Sequence, residues 1–205
     1  MFKKIVFAVI AIAIVATGCS LFDFGGGDLM PLSVGNYWNM KTTLKITVMD
    51  TVVNDSTLYN RTEITEKVTL GNGKEAFTYK SGKTNSSYSF DTTGVDTTYL
   101  VKEDTAYFSY DSLSQTTGDY QGPVKYDIGT VWNAHDMKFE VTAKEDVTVP
   151  AGTFNAYKIA MTDTTSDTLW QWMAKGKGFI KMYGKMGYSS YSVEMTEELM
   201  AYKVK

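Results

Sequence analysis

One cysteine and one histidine in 205 residues leave little from which to build a reactive centre or a covalent staple. A lone cysteine excludes an internal disulfide, even in an oxidising compartment, so the fold must be held by packing. A lone histidine, His135, excludes a histidine pair at metal spacing, and its neighbour Asp136 would point to the opposite face of a strand, which makes a poor catalytic couple. No Gly-x-Ser-x-Gly elbow and no phosphate-binding Gly-x-x-x-x-Gly-Lys loop occurs. The Asp-Thr-Thr triplets at Asp91, Asp96 and Asp163 lack the alternating Asp-x-Asp pattern with a closing Glu that calcium loops use. The expectation is a non-catalytic chain with no metal and no cofactor.

Long apolar runs are also scarce. The only one is Ile5 to Ala16, about twelve residues against the roughly twenty that a helix needs to cross a bilayer. Lys3 and Lys4 precede it and the small residues Ala16, Thr17 and Gly18 follow, which is the layout of an export signal with a processing site. Cleavage before Cys19 would remove residues 1–18 and two of the 20 basic residues, leaving 18 against 23 acidic ones, a balance of minus five. So acidic a chain is a poor partner for nucleic acid. Residues 19–30 follow as a tether whose Gly25-Gly26-Gly27 and flanking Asp23 and Asp28 gain little by folding. The twelve residues from Cys19 to Pro31 reach at most about 40 Å. Residues 31–205 are then enough for a single domain.

Ala16-Thr17-Gly18-Cys19 resembles the lipobox of bacterial lipoproteins, with Ala16 where leucine is usual. The resemblance implies that Cys19 carries a thioether-linked diacylglycerol and an acylated amino group, and so anchors the protein to a membrane. Each buried methylene contributes about 0.8 kcal/mol, and two chains already suffice for stable attachment. Ser20, in place of the Asp associated with inner-membrane retention, implies a cell-envelope location at the outer membrane.

What the chain has in plenty is alternation. Trp38, Met40, Leu44, Ile46 and Val48 are apolar while Asn39, Lys41, Thr43, Lys45 and Thr47 are polar, the period-two pattern of a strand with one dry face. Asn54-Asp55-Ser56 reads as the turn, and Leu58 to Leu70 repeats the alternation up to a Gly71-Asn72-Gly73 hairpin. Shorter strands are expected at Glu75 to Lys80, Ser86 to Phe90, Thr97 to Lys102 and Thr105 to Tyr110. Phe139 to Val149, Thr153 to Met161, Leu169 to Ala174, Phe179 to Tyr183 and Tyr188 to Met195 follow. A closing strand is expected over 194–204, with a terminal helix the alternative by composition. The fold class is all-β, a strongly curved antiparallel sheet or half-barrel.

Two halves are suggested by an internal echo. Val34-Gly35-Asn36-Tyr37-Trp38-Asn39 lines up with Ile128-Gly129-Thr130-Val131-Trp132-Asn133, and Glu66 to Leu70 with Glu145 to Val149. The spacings differ, so true repetition and chance similarity between strands both stand.

Pro31-Leu32 with Gly35-Asn36-Tyr37-Trp38, the stretch Val147 to Phe154 around Pro150-Ala151-Gly152, and Trp172 to Lys181 together resemble a group of uncharacterised bacterial lipoproteins. A small apolar residue is usual there at the position of Lys177. The resemblance implies a curved sheet similar to the Lol-type lipoprotein-localisation half-barrel, which grips acyl chains in its concave face.

On that footing the expected ligand is a lipid or other amphiphile, lined by Trp38, Leu44, Ile46, Tyr157, Ile159, Trp170 and Trp172. Trp170 and Trp172 lie two apart and share one strand face, either stacking on a ligand or filling the core. Lys175, Lys177, Lys181 and Lys185 form a run without an acid, suited to anionic headgroups or simply to a solvated hairpin. The methionines suit an adaptable apolar lining. The other class that fits is an envelope scaffold docking another protein through sheet edges or the lysine run.

Overall fold

A computed structural model describes residues 30–163, 168–188 and 190–205; Cys19, the leader and the tether lie outside the described residues. The described chain forms twelve strands: β1 (Tyr37–Val48), β2 (Thr51–Thr69), β3 (Glu75–Thr84), β4 (Phe90–Lys102), β5 (Ala106–Tyr110), β6 (Asp119–Pro123), β7 (Val131–Ala134), β8 (Met137–Val149), β9 (Gly152–Thr162), β10 (Thr168–Ala174), β11 (Gly178–Tyr188) and β12 (Tyr191–Lys203). All belong to one antiparallel sheet in the order β6-β5-β4-β3-β2-β1-β12-β11-β10-β9-β8-β7. The sheet curls into a nearly closed barrel with a seam between β6 and β7. The expected all-β, strongly curved architecture is therefore what forms, and residues 194–203 are strand, not helix.

The last strand sits at the centre of the sheet, because β12 pairs with β1 on one side and β11 on the other. Two meanders of six strands, β1–β6 and β7–β12, thus share one ladder. Their openings are built alike. Gly35 and Gly129 both adopt φ near 90°. Gly35 N–H donates to Ile64 O at 2.8 Å and Ile64 N–H to Asn36 O at 2.9 Å; Gly129 N–H donates to Val141 O at 2.8 Å and Val141 N–H to Thr130 O at 2.9 Å. Beyond each docking point the ladder slips by one residue, after Ile64 in β2 and after Val141 in β8. The first echo in the sequence is thus one structural device used twice. The second is out of step, since Ile64 and Val141 are 77 residues apart while Glu66 and Glu145 are 79 apart.

Two turns fall elsewhere than expected. The β1–β2 reversal is at Met49-Asp50, both with positive φ (45° and 62°), as a two-residue hairpin of this hand requires. Asn54, Asp55 and Ser56 instead pair with Ile46, Lys45 and Leu44 inside β2. Similarly, residues 85–89 are the β3–β4 connection, held by Asn85, whose side-chain oxygen accepts from Ser87 N–H and Ser89 N–H. Asn and Ser clusters mark a place where the backbone has polar alternatives, and the sheet ladder wins where a partner strand is already present.

Packing occupies both faces. The inner face carries Trp38, Met40, Leu44, Ile64, Met182, Met195 and Leu199 in its main cluster. A second cluster near the seam joins Trp132, Phe139, Val141, Ile159 and Met161. The seam itself is closed by side chains: Tyr126 stacks on Trp132 at 4.8 Å, and His135 Nε2 meets Gln121 Oε1 at 2.9 Å. Burial between these rings pushes the Tyr126 phenol well above its usual range. On the outside, the 111–118 loop folds back so that Gly71 N–H reaches Leu113 O at 2.7 Å. It covers a small cluster of Leu70, Ala76, Val101 and Tyr110.

Both ends of the described chain meet at Asn36, which is fully buried. Its side chain donates to Pro31 O at 2.6 Å and accepts from Lys205 N–H at 3.0 Å. In an up-and-down meander the β2–β3, β4–β5, β6–β7, β8–β9 and β10–β11 connections lie at the same end as these termini. That end is the tether side of the barrel.

Candidate functional site

The ladders assign every candidate to a face, because directly paired residues share one. Met40 pairs with Leu199, Thr42 with Glu197, Leu44 with Met195 and Ile46 with Val193. Continuing, Glu197 pairs with Met182, Met182 with Gln171, and Gln171 with Ile159. These residues form the inner face, and Trp38, Leu44, Ile46, Tyr157 and Ile159 all belong to it.

Trp170 and Trp172 do not. They pair with Ala160 and Lys158 and flank the inward Gln171, so they lie on the outer face. There Lys158 Nζ sits 4.6 Å from the Trp170 ring and 5.4 Å from the Trp172 ring, and Trp172 Nε1 donates to Glu145 Oε1 at 2.7 Å. A cleft of about 360 Å³ opens beside them, lined by Glu145, Asp146, Val147, Thr148, Trp172, Lys181 and Tyr183. The tip of the β8–β9 hairpin leans across, with Ala151 N–H donating to Leu199 O of β12 at 3.1 Å, three strands away in sheet order. The seven expected lining residues are therefore split five to two by the sheet. A shared parity within each strand could not show that, because it says nothing about which parity of β10 matches which of β1.

The lysine run is also divided. Lys181 is ion-paired with Glu198 at 2.9 Å, and Lys185 stands directly opposite Glu194. The acids missing from the local sequence come from the neighbouring strand. Lys175 and Lys177 remain, at the β10–β11 turn on the tether side, where Lys177 O accepts from Trp38 Nε1 and Lys177 Nζ lies 5.3 Å from the Tyr202 ring.

Among the described residues no group of three His, Cys, Asp or Glu comes together as metal ligands would. His135 and Asp136 are the two positive-φ residues of the β7–β8 turn, at φ 50° and 60°.

What parity reasoning passed over is polar. At the middle of the inner face Thr42, 1% exposed, donates to Glu197 Oε1 at 3.3 Å, and Asn60 Nδ2 donates to Thr42 Oγ1 at 3.2 Å. Burial raises the Glu197 carboxyl to about 7, and the hydrogen bonds from Thr42 and Asn60 pull it part of the way back. Glu197 is half-buried on the inner face, directly opposite Met182 and flanked along its own strand by Met195 and Leu199. Two polar atoms of this region have no partner, Asn60 Oδ1 and Gln171 Nε2, the latter in a residue only 1% exposed. The signal was present in the sequence: Thr42 interrupts Met40, Leu44 and Ile46, and Glu197 interrupts Val193, Met195 and Leu199, each at an inward position.

The inner face is not sealed evenly. Ile159, Met161, Val193 and Met195 are buried, whereas Ile46, Leu58, Asn60 and Thr62 on β1 and β2 keep accessible surface. The interior is packed on the β9–β12 side and along β1 as far as Leu44, and loosens at Ile46 and along β2.

A nearly closed twelve-strand antiparallel barrel, with a methionine-rich inner face around a small polar group, is the class of protein these features define. No protein-family model matches the chain, and no curated protein matches its sequence. Among solved structures it is similar to a protein from Bacteroides fragilis described as exported and of YmcC-like fold, with a TM-score of 0.52 at 9% identity, over 85% of this chain and 98% of that one. It is also similar to a protein from Parabacteroides distasonis described as a lipoprotein, with a TM-score of 0.47 at 15% identity, over 85% of this chain and 98% of that one. The first likeness establishes the fold.

Proposed function

We propose that this is a lipid-anchored, non-catalytic lipoprotein of the bacterial cell envelope, tethered to the outer membrane through Cys19, whose barrel binds an amphiphile on its inner face. The leader and the single cysteine carry the anchor. The observation that carries the binding reading is the Thr42–Asn60–Glu197 group, set among methionines with the Asn60 oxygen left unpartnered. A buried polar atom without a partner costs stability, so a site that keeps one beside other polar side chains suits a ligand that completes it. Asn60 Oδ1 and the Glu197 carboxyl are acceptors, which matches a head group that donates hydrogen bonds, such as a hydroxyl, an amide or an amine. The adaptable thioethers of Met40, Met182 and Met195 suit an acyl tail. Trp170 and Trp172 take no part in this interior site.

Native mass spectrometry of the full chain released gently from detergent tests the reading. A co-purifying lipid is expected, and Asn60→Leu with Glu197→Leu should lose it. A protein that carries no lipid and ignores added monoacylglycerol and fatty amine would sink the proposal.

One observation favours a second reading, a protein-interaction module. Residues 51–58 of β2 pair with β1 but have no β3 partner, since the β2–β3 ladder begins at Tyr59. A strand from another protein would fit such an edge. Crosslinking in cells from this segment would then return one dominant protein partner.

A further inference from the structure

The two ends of the barrel differ in charge. On the tether side the connections and the C-terminal residue carry Lys74, Lys125, Lys175, Lys177 and Lys205 against Glu103, Asp104 and Asp127, five to three, and Lys203 ends β12 beside them. At the far end the described connections carry Asp50, Asp136 and Asp163 and no lysine, while the 111–118 loop with Asp111 folds back to the β2–β3 turn. The chain as a whole is acidic, at minus three, so the basic rim runs against the overall balance.

Apolar surface accompanies that charge. The repeated opening turn places Val34 before Gly35 and Ile128 before Gly129, and both side chains stay exposed, at 40% and 64%. Val131 adds to the second copy at 50%. Because the same turn is used twice, each half of the barrel presents an apolar side chain at this end. Lys175 and Lys203 are exposed and, among the described residues, pair with no carboxylate. The far end also exposes Met49, Val52 and Val53, but beside Asp50 and Asp55.

The chain between Cys19 and Met30 is eleven residues, at most about 40 Å when fully extended, and Met30 is packed against this rim beside Gly178 and Trp38. A lipid on Cys19 would therefore hold the basic, apolar-tipped end within reach of the bilayer.

We infer that the tether-side rim docks on an anionic phospholipid surface, with Lys175, Lys177 and Lys203 meeting headgroups and Val34 and Ile128 entering the interface, so that the barrel stands with its acidic end away from the membrane. This rests on the lipid-anchored reading and adds a fixed orientation to it. Basic residues near a charged leaflet act together and are screened by salt, whereas apolar tips set the depth.

The test uses the full lipidated chain in phosphatidylcholine vesicles with and without phosphatidylglycerol. With Cys19 occupied by lipid, Ile128→Cys or Val53→Cys supplies the only free thiol for an environment-sensitive fluorophore. In phosphatidylglycerol vesicles the probe at 128 should be quenched by aqueous iodide several-fold less than the probe at 53. High salt, omission of phosphatidylglycerol, or Lys175→Glu with Lys177→Glu should each remove most of that difference, a loss of roughly tenfold in rim contact for the double charge reversal. Equal quenching at 128 and 53 in a chain that floats with the vesicles overturns the docking and leaves the anchor standing. A chain that does not float overturns both.

Discussion

At the scale of single residues, two side chains carry consequences that can be measured. Asn36 ties Pro31 to Lys205 from a fully buried position, so Asn36→Ala takes the protein partner from the half-buried Pro31 carbonyl and from the Lys205 N–H. Each unmet group costs about 1–3 kcal/mol. The urea midpoint should fall by an amount equivalent to about 2–4 kcal/mol. Glu197 gives a pH dependence with an unusual sign. Its folded pKa, about 7, lies above the ordinary 4.5. The folded state therefore holds the proton more tightly between those values. Stability is greatest below about pH 4.5 as far as this group is concerned, declines as pH rises towards 7, and then levels off. The loss is of the order of 1–3 kcal/mol. Glu197→Gln should flatten this slope and leave the protein more stable than the parent at pH 8. A parent whose stability rises from pH 5 to pH 8 in step with the variant would show that the carboxyl is ordinarily hydrated. Both residues were visible in the sequence, Asn36 as part of a turn signal and Glu197 as a gap in an apolar alternation. Neither role was, because a partner on a neighbouring strand that is far away in the chain leaves no local mark.

Elements tell a similar story about the two half-barrels. The turns at Gly35 and Gly129 share φ near 90° and the same pair of hydrogen bonds to the second strand of each meander. A side chain added at Gly129 meets nothing within 4 Å, and one at Gly35 meets chiefly the flexible Lys205 side chain, 3.1 Å away. Backbone strain is then the main cost at both positions. Gly35→Ala and Gly129→Ala should each destabilise by about 1–2 kcal/mol. Thermal unfolding of the two variants checks this, and a tenfold difference in folding equilibrium between them would count against the turns being equivalent. Long strands with regular alternation, β1, β8 and β9, were legible because one dry face imposes period two. The short strands β6 and β7 were not, having five and four residues and owing their place to a seam that only closure creates. The β1–β2 turn was misplaced because Asn54-Asp55-Ser56 has the chemistry of a reversal, while Met49-Asp50, whose first residue is apolar, does not.

For the whole molecule, order should be greatest where the two halves share a ladder and least where they fail to. Amide exchange should be slowest in β1 and β12, the two strands farthest from either edge of the sheet, and fastest in β6 and β7, the edges of the seam. A uniform exchange profile would mean that side chains such as Tyr126, Trp132, His135 and Gln121 close the seam as firmly as backbone pairing closes the rest. The sequence alone settled the lone cysteine, the all-β class and which residues of a strand share a face, because these depend on local composition and a two-residue period. Only the tertiary structure decided that Trp170 and Trp172 lie outside while Ile159 lies inside, that Lys181 is ion-paired and Lys185 stands opposite an acid while Lys175 does not, and that the lysines of four separate segments gather at one end. Those facts depend on register between strands far apart in the chain, and register is set by the closure of the sheet as a whole.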